Sequence, residues 1–338
     1  MKRTICFAVA GLLVGLLHGQ DADPSFAGSA PLLLDPSRSG FSPGGQVSFI
    51  HRDQWLQLPG TWRSDQLAAE WCARNTRKPV ESWLGIALIA QQDRQAVEGG
   101  RRTVLDFTSA MHVRAGRRSF LSSGIEARLA DQQVGDVGGT WGSQYGGGRY
   151  DPGLATGEGS GTGRLTTLEM RVGLSYTLKY EEESRLRREL DMLVAGIAAD
   201  HIGGFSLHEE GAPVGSPPIR LTAYVLGELP HELWDKGFFS AELIGQAQGP
   251  FLTGRIGVFA GKHLLNAVRE PGGPMLQGFK AGLSYRLHDA LLVNAALDLG
   301  RTTFGMAYGW SIFNPNKAVA GRRTFELLAQ VRFVKGGK

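Results

Sequence analysis

The feature that most constrains this chain is a side-chain alternation of period two, sustained over unusually long runs. Leu105, Phe107, Ser109, Met111 and Val113 alternate with Asp106, Thr108, Ala110, His112 and Arg114. Phe279, Ala281, Leu283, Tyr285 and Leu287 alternate with Lys280, Gly282, Ser284, Arg286 and His288. Phe304, Met306, Tyr308 and Trp310 do the same against Thr303, Gly305, Ala307 and Gly309. So do Phe325, Leu327, Ala329, Val331 and Phe333 against Thr324, Glu326, Leu328, Gln330 and Arg332. A helix repeats every 3.6 residues and does not give this pattern, so these are strands with one apolar face and one polar face. A soluble sandwich has the same period with the wet face reversed, so strand length decides. Runs such as 102–114, 166–180, 219–229 and 322–333 exceed the ~5–6 residues usual in globular strands and match the ~9–11 of membrane strands. About fourteen segments qualify, an even number, as single-chain outer-membrane barrels have. They begin near Gln46, Arg63, Ser82, Arg102, Arg118, Thr166, Leu190, Pro218, Lys236, Pro250, Leu276, Asp289, Arg301 and Gly321. The expected fold is therefore all-β: a transmembrane antiparallel outer-membrane β-barrel with lipid outside and a polar lumen.

Composition agrees. The chain has 338 residues, of which 48 are glycine and 42% hydrophobic. Glycine is thus about twice its usual share without a three-residue period, which argues against collagen and helical bundles. The formal charge of +4 includes Lys2 and Arg3, and no basic stripe with interleaved aromatics follows, so nucleic acid is not an expected partner. Those two cations open a segment whose apolar run, Ile5 to Leu17, is too short to span a bilayer and leads to a polar exit at His18-Gly19-Gln20. It reads as a signal peptide, residues 1–19, cut near Gly19 or Gln20. The expected organisation continues with an N-terminal periplasmic or plug segment at 20–45, the barrel at 46–333 and a tail at 334–338. Cys72 is then a lone cysteine, read as a small apolar side chain.

With a periplasmic N-terminus, the longest connector, 131–165, falls outside, as long loops do in such barrels. It is rich in glycine and carries Trp141, Tyr145 and Tyr150. The turns at Ala115-Gly116-Arg117 and Leu299-Gly300 are tight and fall inside. The connectors 180–189 and 263–275 fall inside as well but are long.

Several motifs resemble a known family. Asp23-Pro24-Ser25-Phe26 is followed by Pro31-Leu32-Leu33-Leu34-Asp35-Pro36, Gly40 and a strand ending His51-Arg52-Asp53-Gln54-Trp55. These are similar to the opening of the PorP/SprF proteins of the type IX secretion system, with Asp35 and Asp53 standing where that family has Asn. Asp151-Pro152, 196–202, and Gly282-Leu283-Ser284-Tyr285-Arg286 with Asp289-Ala290 extend the resemblance across most of the chain. The resemblance implies an integral outer-membrane protein serving type IX protein secretion or gliding motility. It implies a role in anchoring secreted cargo that carries a sorting C-terminal domain, or in holding periplasmic lipoprotein and ring components at the lipid bilayer.

No catalytic, cofactor or metal site is expected. His51 and Asp53 share a strand face, and Asp200-His201 and His288-Asp289 are adjacent, but none has a ligand spacing such as His-Glu-x-x-His. His201, His208, Glu209 and Glu210 read the same way, as lumen and rim polar residues. A hydrolase would depend on His51, His201 or His288. The candidate partner-contacting residues are Arg52, Asp53 and Trp55 at a strand end, with Trp141, Tyr145 and Tyr150 in the long connector, because Arg and aromatic side chains favour interface centres. The alternative function is a passive porin or hydrophobic-solute transport barrel.

Overall fold

The computed structural model describes residues 25–333 apart from 27, 57–60, 74–80, 96–99, 135–144, 147–148, 152, 155–162, 180–190, 212–216, 232–236, 264–276 and 313–322. In chain order the strands are β1 (Gly45–Gln54), β2 (Trp62–Cys72), β3 (Ser82–Gln95), β4 (Arg101–Arg114), β5 (Ser119–Val134), β6 (Tyr145–Gly146), β7 (Arg149–Tyr150) and β8 (Gly163–Lys179). They continue with β9 (Asp191–Gly211), β10 (Arg220–His231), β11 (Gly237–Gln248), β12 (Phe251–His263), β13 (Gln277–Arg286), β14 (Ala290–Leu299), β15 (Thr302–Ser311) and β16 (Arg323–Phe333). All but β6 and β7 form one closed antiparallel barrel of 14 strands, in which β16 returns to pair with β1. Each barrel strand begins within three residues of its expected start. The pair β6–β7 is a separate two-stranded hairpin inside the long connector.

The two faces of the wall are sorted as the alternation requires. Leu88, Leu105, Phe107, Val258, Leu283 and Met306 point outward and are exposed, while Asp106, Thr108, His112, Glu126, Ser284 and Glu326 point inward and are buried. Exposed large apolar side chains around buried charges are the inverse of a water-soluble protein and suit a wall facing lipid. Among the described residues no helix is long and apolar enough to cross a membrane.

The wall is least regular in β9. Three register shifts separate it from β8 between Thr166 and Val172, and His201 and Gly203 have left-handed φ of 60° and 62°. Each extra residue is a bulge that bends the strand. The β9–β10 ladder stops at Asp200–Arg220, and β9 continues to Gly211 paired with β8.

Residues 25, 26 and 28–44 pack against the inward faces of the strands. Pro31–Leu33 and Pro36–Arg38 are single 3-10 turns, each opened by a proline whose fixed φ suits that position. Asp35 caps the second turn by accepting the Ser37 N–H at 2.7 Å. This segment organises the interior: each of the four apolar clusters among the described residues contains at least one of its side chains. Phe26 meets Ile50, Ala307 and Leu328, and Leu32 meets Ala68, Ala87 and Ile89. Leu34 meets Val194, Tyr224 and Ile244, and Phe41 meets Cys72, Trp83 and Phe120.

Candidate functional site

The N-terminal segment lies in a groove that the barrel wall builds from small residues. Gly85, Ala110, Gly124, Gly173 and Ala198 are successive register partners on β3, β4, β5, β8 and β9, forming one inward row across five strands. A Cβ on Gly85 would collide with the Ser39 carbonyl, one on Gly124 with the Pro36–Ser37 peptide, and one on Gly173 with the Asp35 carboxylate. Gly305 on β15 leaves room for the Phe26 ring, which a Cβ would approach to 2.7 Å. Glycine serves here through its missing side chain, allowing one backbone to lie against another.

Polar contacts pin the segment along its length. Glu326 accepts the N–H groups of Ser25 and Phe26 at 2.9 and 3.2 Å. Tyr224 donates to Asp35 at 2.9 Å, and Ser37 and Ser175 share a hydroxyl hydrogen bond of 2.7 Å. Glu70 accepts the Gly40 N–H at 2.9 Å, and the Trp83 indole donates to the Gly40 carbonyl at 3.3 Å. Burial pushes the Asp35 carboxyl above its ordinary carboxylate value, opposed by the hydrogen bonds from Ser37 and Tyr224 and by the charge of Arg171.

Beside the segment runs a chain of buried ion pairs. Arg128 forks onto Asp106 at 2.9 and 3.1 Å and reaches Glu126 at 3.1 Å. Arg171 contacts Asp200, lies 3.6 Å from Glu126 and donates to the Leu33 carbonyl at 2.8 Å. Arg220 donates to Asp200 at 2.6 Å, and His201 meets Glu169 at 2.6 Å from within the β9 bulges. Cations and carboxylates thus satisfy one another, as buried charges must. Leu33, Arg52, Gln91 and Arg102 share with Arg128 and Arg171 of this chain of ion pairs the lining of a small open cavity.

The residues singled out from sequence do not form one patch. Arg52 points inward, buried 3.8 Å from Glu326, whereas Asp53 points outward to His51 at 3.2 Å and Arg63 at 3.0 Å. Adjacent residues on a strand face opposite ways, so the cluster divides between lumen and outer wall. Trp55 leaves β1 with a left-handed φ of 61° and meets the edge of Trp62 at 6.5 Å. Tyr145 and Tyr150 are register partners in the β6–β7 hairpin. Trp141 lies outside the described residues, as do 1–19 and 334–338. Among the described residues no group of three His, Cys, Asp or Glu side chains could hold a metal ion. The sequence reading missed Gly85, Gly124 and Gly173. The available signal was their place on the inward face of the alternation, where a lumen wall otherwise carries side chains.

Residues 20–205, more than half of the chain, match the family described as type IX secretion system membrane protein PorP/SprF. The chain belongs to the PorP/SprF family. The match begins just before the lumenal segment and ends within the β9 bulges, so it includes the glycine groove. No curated protein matches this PorP/SprF chain. Among solved structures it is similar to the TodX deltaS2S3 mutant monoaromatic hydrocarbon channel, at 10% identity and TM-score 0.51, covering 91% of this chain and 94% of that one. The P. putida toluene transporter TodX aligns at 11% identity and TM-score 0.46, over 90% and 94% of the two chains. The translocator domain of the autotransporter NalP from Neisseria meningitidis aligns at 12% and 0.44, over 91% and 98%. The first of these, at 10% identity, shows a likeness of fold alone.

Proposed function

We propose that this protein is a non-enzymatic outer-membrane component of the type IX secretion or gliding machinery, exported by a cleaved signal peptide. In this reading its rims and connectors anchor secreted cargo or periplasmic lipoprotein and ring components. Family membership supports the setting. The observation that carries the anchoring role is the lumen, which the N-terminal segment crosses in a fitted groove. A barrel so filled is better suited to holding partners than to passing polypeptide. The test is mild extraction of the tagged protein from its native membrane, followed by mass spectrometry of what accompanies it. Periplasmic lipoproteins, or large secreted proteins sharing a C-terminal sorting domain, are the expected companions. Recovery of the barrel alone counts against the proposal.

A second reading, a small-solute transport barrel, is favoured by the cavity that Leu33 and the buried arginines line. Planar-bilayer conductance separates the two, since a steady current through the intact protein supports transport.

A further inference from the structure

The outer wall carries three arginines in a single row. Arg63 on β2 is the register partner of Arg94 on β3, which is the partner of Arg101 on β4. All three are exposed and share the outward face with Leu67, Leu88 and Leu105 on their own strands. Neighbouring strands lie about 4.8 Å apart, so the three side chains leave the wall within roughly 10 Å of one another. Like charges placed directly opposite repel, so such a row gains from anions close by.

The chain supplies part of that counter-charge: Asp53 and Asp65 act on Arg63, and Asp131 on β5 acts on Arg101 from beyond contact distance. Arg63 reaches Asp53 at 3.0 Å. The Arg94 guanidinium bonds the neutral Gln92 amide, at 2.7 Å from Nε. Among the described residues no carboxylate lies within ion-pair distance of Arg94 or Arg101. Beneath the row, toward the middle of the wall, Phe49, Leu67, Ala90 and Leu105 form an apolar outward row of successive register partners. A ligand matching both parts has phosphate above and acyl chains below. That pairing separates a membrane lipid from a free phosphate ion.

The position of the row selects the leaflet. Arg101 opens β4 at the rim where its neighbour β5 ends, and the longest connector, 135–162, departs from that same rim. Long connectors mark the outer side of such barrels. We infer that Arg63, Arg94 and Arg101 form a binding site for the phosphorylated headgroup of an outer-leaflet glycolipid.

Native mass spectrometry of the full-length protein, offered diphosphoryl lipid A or its dephosphorylated form, tests this. The intact protein should retain the diphosphoryl lipid and release the dephosphorylated one. The double variant R94Q/R101Q should bind the diphosphoryl form about tenfold more weakly or worse, as loss of two charge-assisted contacts dictates. The variant R117Q/R301Q, which removes exposed arginines from turns at the opposite rim, should bind like the intact protein. Heat-modifiable gel mobility reports whether each variant is a folded barrel. Equal retention of both lipids by the intact protein overturns the assignment even if R94Q/R101Q fails to fold. An equal loss in R117Q/R301Q, or full displacement by inorganic phosphate, also overturns it.

Discussion

Gly85 illustrates how much a single missing side chain can decide. A methyl group there lands on the Ser39 carbonyl, so Gly85→Ala must displace either β3 or the segment. The expected cost is about 1–3 kcal/mol, as for overpacking elsewhere. The control is Gly245→Ala on β11, where a Cβ meets nothing within 4 Å. Thermal unfolding and protease sensitivity of residues 25–44 should change in the first variant and not in the second. Asp35 carries the complementary electrostatic prediction. Its carboxyl is raised by burial, so the seated segment binds a proton more readily than a released one. Seating is therefore strongest below the ordinary aspartate value and weakens as pH rises through the raised one. In Asp35→Asn that dependence should weaken, because the amide does not titrate, leaving only what Glu70 and Glu326 contribute through their bonds to the segment. Protease accessibility of the segment across the acidic range would show it, and an unchanged pH profile would contradict this account.

At the scale of elements, the barrel was legible in the sequence and the groove was not. Runs such as Leu105 to Val113 are read by period alone, because a strand between lipid and lumen sorts its residues one by one. Strand starts followed from where that alternation began. The groove depends on Gly85, Gly124 and Gly173 being register partners across strands far apart in sequence, which no local pattern states. The β9 bulges were equally hidden, since His201 looks like any polar strand residue until its φ of 60° is known. That backbone sets a testable order of substitutions. His201→Asn should be tolerated best, because asparagine accepts left-handed φ. His201→Val, which loses Glu169 and is β-branched, should destabilise by about 2 kcal/mol, within the range for strained positions. Urea unfolding in detergent would rank the two.

For the whole molecule, the segment determines what the barrel can pass. Deleting residues 25–44 removes a member of all four apolar clusters and exposes Arg171 and Glu326 to the lumen. Planar-bilayer recordings should show little steady current for the intact protein and a clear ohmic current for the deletion. If both remain silent, the lumen is closed by something other than this segment.

The contact between Ser25 and Glu326 also dictates the order of assembly. It joins groups 301 residues apart, one ahead of the first strand and the other within the last. The groove in β3, β5 and β8 can receive Asp35 to Gly40 early, but the far end of the segment has no acceptor until β16 arrives. The same strand supplies the seam with β1. Ring closure and final seating therefore share one late, long-range step, the kind that slows folding most. Until then the nascent sheet has two unpaired edges and a loosely held lining.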